Sequence, residues 1–212
     1  MPNHIEREFK WTISNRRAFD AFVNALHQIS EQIMPLKPLH ITDYYLDDKK
    51  GTLRVRKIAL RIRHAERSWE ATLKSRSCLK NGMAARSEIT LSLPKAHSFN
   101  KALSALKQQE KWGKISLGQL KTRFIIRNYR RLFQVVYKEC MCEAALDEYL
   151  TLAYGHQLKR REIELELKKG PTKTFLQLTK KLTQKSHLQS AELSKVAGAE
   201  KWISEKLAKT NF

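Results

Sequence analysis

A chain of 212 residues with 42% hydrophobic side chains can bury a real core and suits one domain. Its 41 Lys+Arg against 21 Asp+Glu leave a formal charge of +20, which calls for an anionic partner: nucleic acid, a membrane surface or a phosphorylated small molecule. The charged start MPNHIEREFK lacks an apolar signal core, no run approaches the ~18 apolar residues of a membrane span, and 3 cysteines without zinc-site spacing read as reduced thiols, so the expectation is a cytoplasmic protein with no membrane contact.

Taken in chain order, polar and apolar residues first alternate over His4–Ile13, predicting a strand. Phe19, Phe22, Val23 and Leu26 then fall on one stripe, predicting a helix over Arg17–Ile33. Strands follow over Ile41–Asp47, Ile58–Glu66, Ser68–Arg76 and Arg86–Leu93, and a helix over Ser98–Trp112. Four more strands are predicted over Leu120–Asn128, Leu132–Glu139, Cys142–Leu150 and Arg160–Lys168. Gly170-Pro171 opens a helix over Thr172–Leu182, and a last helix runs over Ala191–Ala208. Short connections between strands and few helices predict an antiparallel α+β fold. Without a repeat, linker or low-complexity tract, residues 1–212 form a single domain.

The polar faces of these strands are unusual. The first strand sets Glu6, Glu8 and Lys10 against Phe9, Trp11 and Ile13; the last sets Glu162, Glu164 and Glu166 against Ile163, Leu165 and Leu167. Between them come Arg61 and Arg63, then Glu70, Thr72 and Lys74, then Arg86, Glu88 and Thr90, then Lys121 and Arg123 opposite Phe124 and Ile126. A wet sheet face is ordinarily dressed with Thr, Ser or Gln; these faces carry charges of both signs. If the first and last strands are neighbours in a closed sheet, their glutamates converge and need cations between them, which suits Mg²⁺ or Mn²⁺. Arg and Lys facing that acid across a polar interior make a receptacle for a metal-bound polyphosphate. Arg127, Arg130 and Arg131 fall near a strand end and read as surface charge. The 7 histidines show no ligand spacing.

The residues also resemble a known family. "IEREFK" (5–10) resembles the ExExK opening of the CYTH superfamily, the triphosphate tunnel metalloenzymes. "YYLDDKKGTLRVRKIALRIR" (44–63) is similar to the family's aromatic-Asp turn and LRxR strand, "ATLKS" (71–75) to its TLK strand, and "ARSEITL" (85–91) to its basic-then-acid strand. "EAALDEY" (143–149) resembles the Asp-bearing strand, "REIELELKKG" (161–170) the ExExE closing strand, and "LSKVAG" (193–198) a Ser-Lys-containing terminal helix. Lys57 stands where members often have Gly.

The resemblance implies a closed eight-stranded antiparallel β-barrel, a triphosphate tunnel, with flanking helices. It implies Glu6, Glu8, Glu162, Glu164 and Glu166 as metal ligands for Mg²⁺ or Mn²⁺, without fixing which of the last three bind directly. Arg61, Arg63, Lys74, Arg86, Lys121, Arg123 and Lys195 would grip phosphate oxygens, as would Lys10; Glu88 and Asp147 would orient bases or support the metals. The implied activity is hydrolysis of inorganic triphosphate or a triphosphate-containing compound. Class IV adenylate cyclase and thiamine triphosphatase remain alternatives, with Trp11, Trp69 and Trp112 as candidates for an aromatic cradle and Tyr44 and Tyr129 for the tunnel mouth. A non-enzymatic basic module binding polyphosphate or RNA is the rival from another class, but it leaves the glutamates without a role. The surplus charge is expected outside, on the last two helices, where it could recruit long polyphosphate or nucleic acid. Oligomeric state is left open.

Overall fold

A computed structural model describes residues 4–75, 82–109 and 119–210. Strand β1 (His4–Ile13) leads into helix α1 (Arg17–Ile29) and strand β2 (Gln32–Asp47). A one-turn helix α2 (Thr52–Val55) precedes β3 (Ala59–Ala65), β4 (Ser68–Lys74), β5 (Met83–Ser92) and α3 (Phe99–Lys107). The long strands β6 (Lys121–Tyr137), β7 (Cys140–Ala153) and β8 (His156–Lys169) are followed by α4 (Thr172–Ser186), a two-residue β9 (Gln189–Ser190) and α5 (Lys195–Thr210).

The sheet order is β5-β4-β3-β2-β6-β7-β8-β1, and β5 also pairs with β1, so eight strands close on themselves; β9 adds to the edge of β1. Every pairing is antiparallel, with β1 held between β5 (Glu6 opposite Arg86) and β8 (Glu8 opposite Glu166). Closure pairs each of the eight strands on both sides over part of its length and gives each strand an inner and an outer face.

The apolar residues went outside. On the outer wall of β1, β7 and β8, Trp11, Leu146, Ile163 and Leu165 pack against Phe19, Phe22 and Leu26 of α1 and Phe175, Leu178 and Leu182 of α4. The Trp11 indole N–H donates to Thr183 at 2.8 Å, satisfying the polar atom of a fully buried ring. A second outer cluster sets Leu60, Ile62 and Trp69 against Ala102 and Leu106 of α3. A third lies inside: Ala199, Trp202 and Ile203 of α5 pack on the inward residues Tyr45, Phe124, Ile126 and Tyr149. The helices therefore hold the barrel from outside, and α5 alone reaches its interior.

Several boundaries differ from the sequence reading, each for a local reason. Helix α1 stops at Ile29 because Ser30 turns extended (ψ 147°), and the apolar run beyond it belongs to β2. Pro35 and Pro38 hide that half of the strand, yet Gln32–Leu39 pairs with β6 alone, and an edge tolerates prolines. The two strands expected at 120–139 are one, because β6 pairs without a break to β7 from Ile125 to Tyr137. Hairpins follow at Lys138 (φ 50°) and at Tyr154-Gly155 (φ 50° and 75°), backbone that suits tight hairpin turns although the sequence has no Asn-Gly signal there. Trp112 and Cys78 lie outside the described residues. Among the described residues no helix is long and apolar enough to cross a membrane.

Gly170, between β8 and α4, has φ 116°, and a Cβ there would sit 2.5 Å from the Glu139 carbonyl and 2.8 Å from the Cys140 Cα. Gly155 has φ 75° but open space around it. Gly170→Ala should therefore cost about 3 kcal/mol, strain plus overlap, and Gly155→Ala about 1 kcal/mol, strain alone. Denaturant unfolding of the two variants checks this, and equal losses would contradict the backbone described here.

Candidate functional site

The barrel encloses a cavity of about 680 Å³ lined by inward side chains from all eight strands and by the start of α5. Its acidic wall is built by register. Across β1, β8 and β7, Glu8 faces Glu166 and Glu166 faces Glu143; Lys10 faces Glu164; Thr12 faces Glu162 and Glu162 faces Asp147. Strand alternation puts all of them on one face.

Three bases enter this wall. The Lys10 ammonium bonds Glu164 and lies 3.3 Å from Glu8. Lys195, at the start of α5, reaches Asp147 and Glu162 at 2.6 Å and Glu164 at 3.1 Å. Arg130 clamps Asp147 with two bonds of 2.7 and 2.6 Å and donates to Glu164 at 2.5 Å. Burial opposes charge on Glu164, but Lys10, Lys195 and Arg130 overcome it and hold the carboxyl well below its usual range. Glu162 goes the other way: burial, with Glu164 beside it, pushes it up to about 7 against the pull of Lys195 and Lys10. One of these neighbouring carboxyls thus stays ionised while the other keeps its proton near neutrality.

The basic wall comes from β3, β4 and β6. Arg63 forms a fork on Asp43 at 2.7 and 2.9 Å, which keeps Asp43 far down its range despite burial. Arg61 lies 3.7 Å from Asp43 and 3.9 Å from Glu88. Lys74 bridges Glu88 at 2.7 Å and Glu6 at 3.3 Å. Arg123 makes two bonds, of 2.7 and 2.8 Å, to Glu200 of α5.

Of the residues singled out from sequence, the cavity lining brings together Glu6, Glu8, Lys10, Arg61, Arg63, Lys74, Glu88, Arg123, Glu164, Glu166 and Lys195. Asp147 and Glu162 stand just behind, bonded to Lys195. Lys121 does not join them. It is exposed at the first position of β6, opposite Asp47 at the end of β2; a bulge between Tyr45 and Leu46 of β2 skips Arg123 in the register, so that both Arg123 and Phe124 line the cavity. Beyond the bulge Phe124, Ile126, Asn128 and Arg130 line the cavity, so Arg130 is no surface charge. The Arg86 backbone pairs with Glu6, and its side chain lies outside the described residues. Asp43, Glu143 and Asn128 were missed, though alternation with Tyr45, Ala145 and Arg130 carries the signal.

Oxygen donors suit a hard divalent cation. The donors of Asp147, Glu162 and Glu164 lie within 4.8 Å of one another, although Lys195 and Arg130 already engage them. The row Glu8–Glu166–Glu143 places like charges directly opposite, an unfavourable pairing. Burial raises the Glu166 carboxyl, and Glu6 and Glu143 add to the rise, while the half-exposed Lys168 opposes it. An anionic, all-oxygen set with excess repulsion fits Mg²⁺ or Mn²⁺.

The CYTH domain profile matches residues 4–199. The chain belongs to the CYTH family. No curated protein sequence matches it. Among solved structures, a putative adenylyl cyclase from Hippeastrum, said to have a dominant triphosphatase activity, superposes with a TM-score of 0.69 at 22% identity, over 92% of this chain and 95% of that one. A putative adenylate cyclase from Bacillus halodurans gives 0.57 at 22% identity, over 92% and 97%. The Mimivirus capping-enzyme triphosphatase gives 0.52 at 13% identity, over 85% and 89%. At such identities the likeness establishes the CYTH fold.

The raised carboxyl of Glu162 makes stability pH-dependent. A folded-state value near 7 against an ordinary 4.5 means the folded protein binds more protons across that window, so stability falls as pH rises through it. Glu166, also raised, adds the same sign. Metal-free protein should melt at lower temperature at pH 7 than at pH 5, and Glu162→Gln should flatten the slope. Thermal unfolding across this range tests it; a melting temperature that rises between pH 5 and 7 would contradict the assignment.

Proposed function

We propose that the protein is a metal-dependent triphosphatase whose substrate is inorganic triphosphate. The observation that carries this reading is one cavity lined by both acids and bases, Glu6, Glu8 and Glu166 together with Arg61, Arg63 and Lys74.

Glu6, Glu8 and Glu166, with Glu162 and Glu164 adjoining, would hold Mg²⁺ or Mn²⁺, which supplies charge neutralisation at the phosphates and a more acidic water. The rest falls to the chain's own residues. Arg61, Arg63, Lys74 and Arg123 bind phosphate oxygens, and Arg130 extends that grip along β6. Hydrolysis of a phosphoanhydride depends on positioning and on charge already in place, and each base is held by an acid. Asp43 fixes the Arg63 fork, Glu88 fixes Lys74, and Asp147 fixes Arg130 and Lys195. Lys10 keeps Glu8 and Glu164 aligned.

Among the described residues the lining offers charged groups suited to phosphate, and this supports the choice of substrate. Tyr45 and Phe124, the aromatics that line the cavity among the described residues, stack on each other at 4.6 Å and are buried. Trp11 and Trp69 belong to the outer clusters, Tyr44 stacks on Phe99, and Tyr129 lies beside His40 on the outer wall. A site selecting a base or a thiazolium would need polar or aromatic partners dedicated to it.

Phosphate release from triphosphate, ATP and thiamine triphosphate, with Mg²⁺ or Mn²⁺, should show the highest kcat/KM for triphosphate and none with chelator. Glu8→Gln and Glu166→Gln should each lower it by roughly 100-fold or more while circular dichroism shows the fold intact. Near-wild-type release by either folded variant would overturn the metal assignment; cyclic AMP from ATP, or preference for thiamine triphosphate, would overturn the substrate.

A further inference from the structure

The turn from β2 to β3 carries Lys49, Lys50, Arg54, Arg56 and Lys57 within nine positions. Its two acids are spent on the backbone. Asp47 accepts from the N–H groups of Asp48 and Leu53 at 2.9 Å and of Arg54 at 3.1 Å, and Asp48 accepts from the Thr52 N–H at 3.0 Å. The turn is therefore fixed, and its bases are left over.

Two of those bases, Arg54 and Lys57, line the rim of the tunnel cavity while remaining exposed. Among the described residues neither has a carboxylate within ion-pair distance, whereas Lys10, Arg61, Arg63, Lys74, Arg123 and Lys195 each have one. Lys57 also sits in the left-handed region at φ 55°. Glycine would adopt that backbone without strain, so the turn retains a disfavoured lysine where its ammonium meets the mouth. Strain of this kind collects where a side chain is needed. Arg54 is placed by the neighbouring glycine: its guanidinium lies over Gly51, where a Cβ would come within 3.3 Å of it. A merely solvated basic loop requires none of this.

An anion confined to the interior would leave both cations idle. The aromatic residues of the described lining, Tyr45 and Phe124, are buried and stacked on each other and offer a nucleobase no open face, and the chemistry at the rim is again that of phosphate. We propose that Arg54 and Lys57 form a subsite at the tunnel mouth for the further phosphates of a linear polyphosphate longer than triphosphate. This rests on the reading of the tunnel as the phosphate site and extends it outward.

The test is calorimetric binding of triphosphate and of long-chain polyphosphate, each with Mg²⁺ and with chelator, to wild type, Lys57→Gly and Arg54→Gln. Each variant should weaken long-chain binding about tenfold, the loss of a charge-assisted contact, and leave triphosphate affinity and phosphate release unchanged. Lys57→Gly should melt no lower than wild type, since it relieves the backbone, so its loss of affinity will not be a folding defect. Unchanged long-chain affinity or a parallel loss for both ligands would overturn the subsite. Wild-type protein that fails to bind triphosphate at all would overturn the tunnel reading itself, and this inference with it.

Discussion

Everything in this barrel answers to one constraint: carboxylates buried on the inside of a closed sheet must meet cations. Asp147 is fully buried, and Glu8, Glu162 and Glu164 nearly so. A buried, unpaired charge of this kind would cost several kcal/mol. Lys10, Arg130 and Lys195 meet that demand from three elements: β1, β6 and α5. Removing any one of them takes a cation from a buried acid, and losing Arg63 would leave Asp43 with Arg61 alone at 3.7 Å. Because the interior is given over to charge, the hydrophobic effect must work elsewhere. It does so on the outer wall, where α1, α4 and α3 cover the faces that an open sheet would leave wet.

Helix α5 joins the two regimes. Ala199, Trp202 and Ile203 bury apolar surface against Tyr45, Phe124 and Tyr149, while Lys195 and Glu200 complete ion pairs with the barrel. The carboxylate oxygens that a metal ion would use at Glu162 and Glu164 are the ones Lys195 holds. By linkage, a cation on those oxygens and Lys195 in its present seat oppose each other, each weakening the other's hold. The row Glu8–Glu166–Glu143 stands apart from Lys195 and is met instead by Lys10 and the half-exposed Lys168.

Much of this was legible in the sequence, because alternation is unambiguous where a strand is straight. Strands β1, β4 and β8 show their charged faces residue by residue, and the order of motifs resembled the CYTH pattern over nearly the whole chain. The site failed to be legible where the backbone departs from strict alternation. The bulge opposite Arg123 changes the parity of β6 between Arg123 and Phe124, which brings Arg130 inward along with Arg123, while Lys121 lies exposed at the strand end. Breaking β6 at the Tyr129–Arg131 run hid the same fact, since an unbroken strand carries parity from Asn128 to Arg130. Asp43 is one acid in the expected strand Ile41–Asp47, otherwise without charge before Asp47, and the partner that gives it meaning, Arg63, is set by pairing across β2 and β3. Pairing register and long-range ion pairs are properties of the closed sheet, and no local window contains them.

The central claim is that the acidic and basic walls form one site, with metal and triphosphate bound together. Titrating triphosphate by calorimetry, with and without Mn²⁺, measures this directly. The account predicts saturable binding that Mn²⁺ strengthens, with triphosphate raising the affinity for Mn²⁺ by the same factor, as reciprocity requires. Triphosphate affinity indifferent to Mn²⁺ would show that the acidic wall serves only to balance Lys10, Arg130 and Lys195, and would contradict the account.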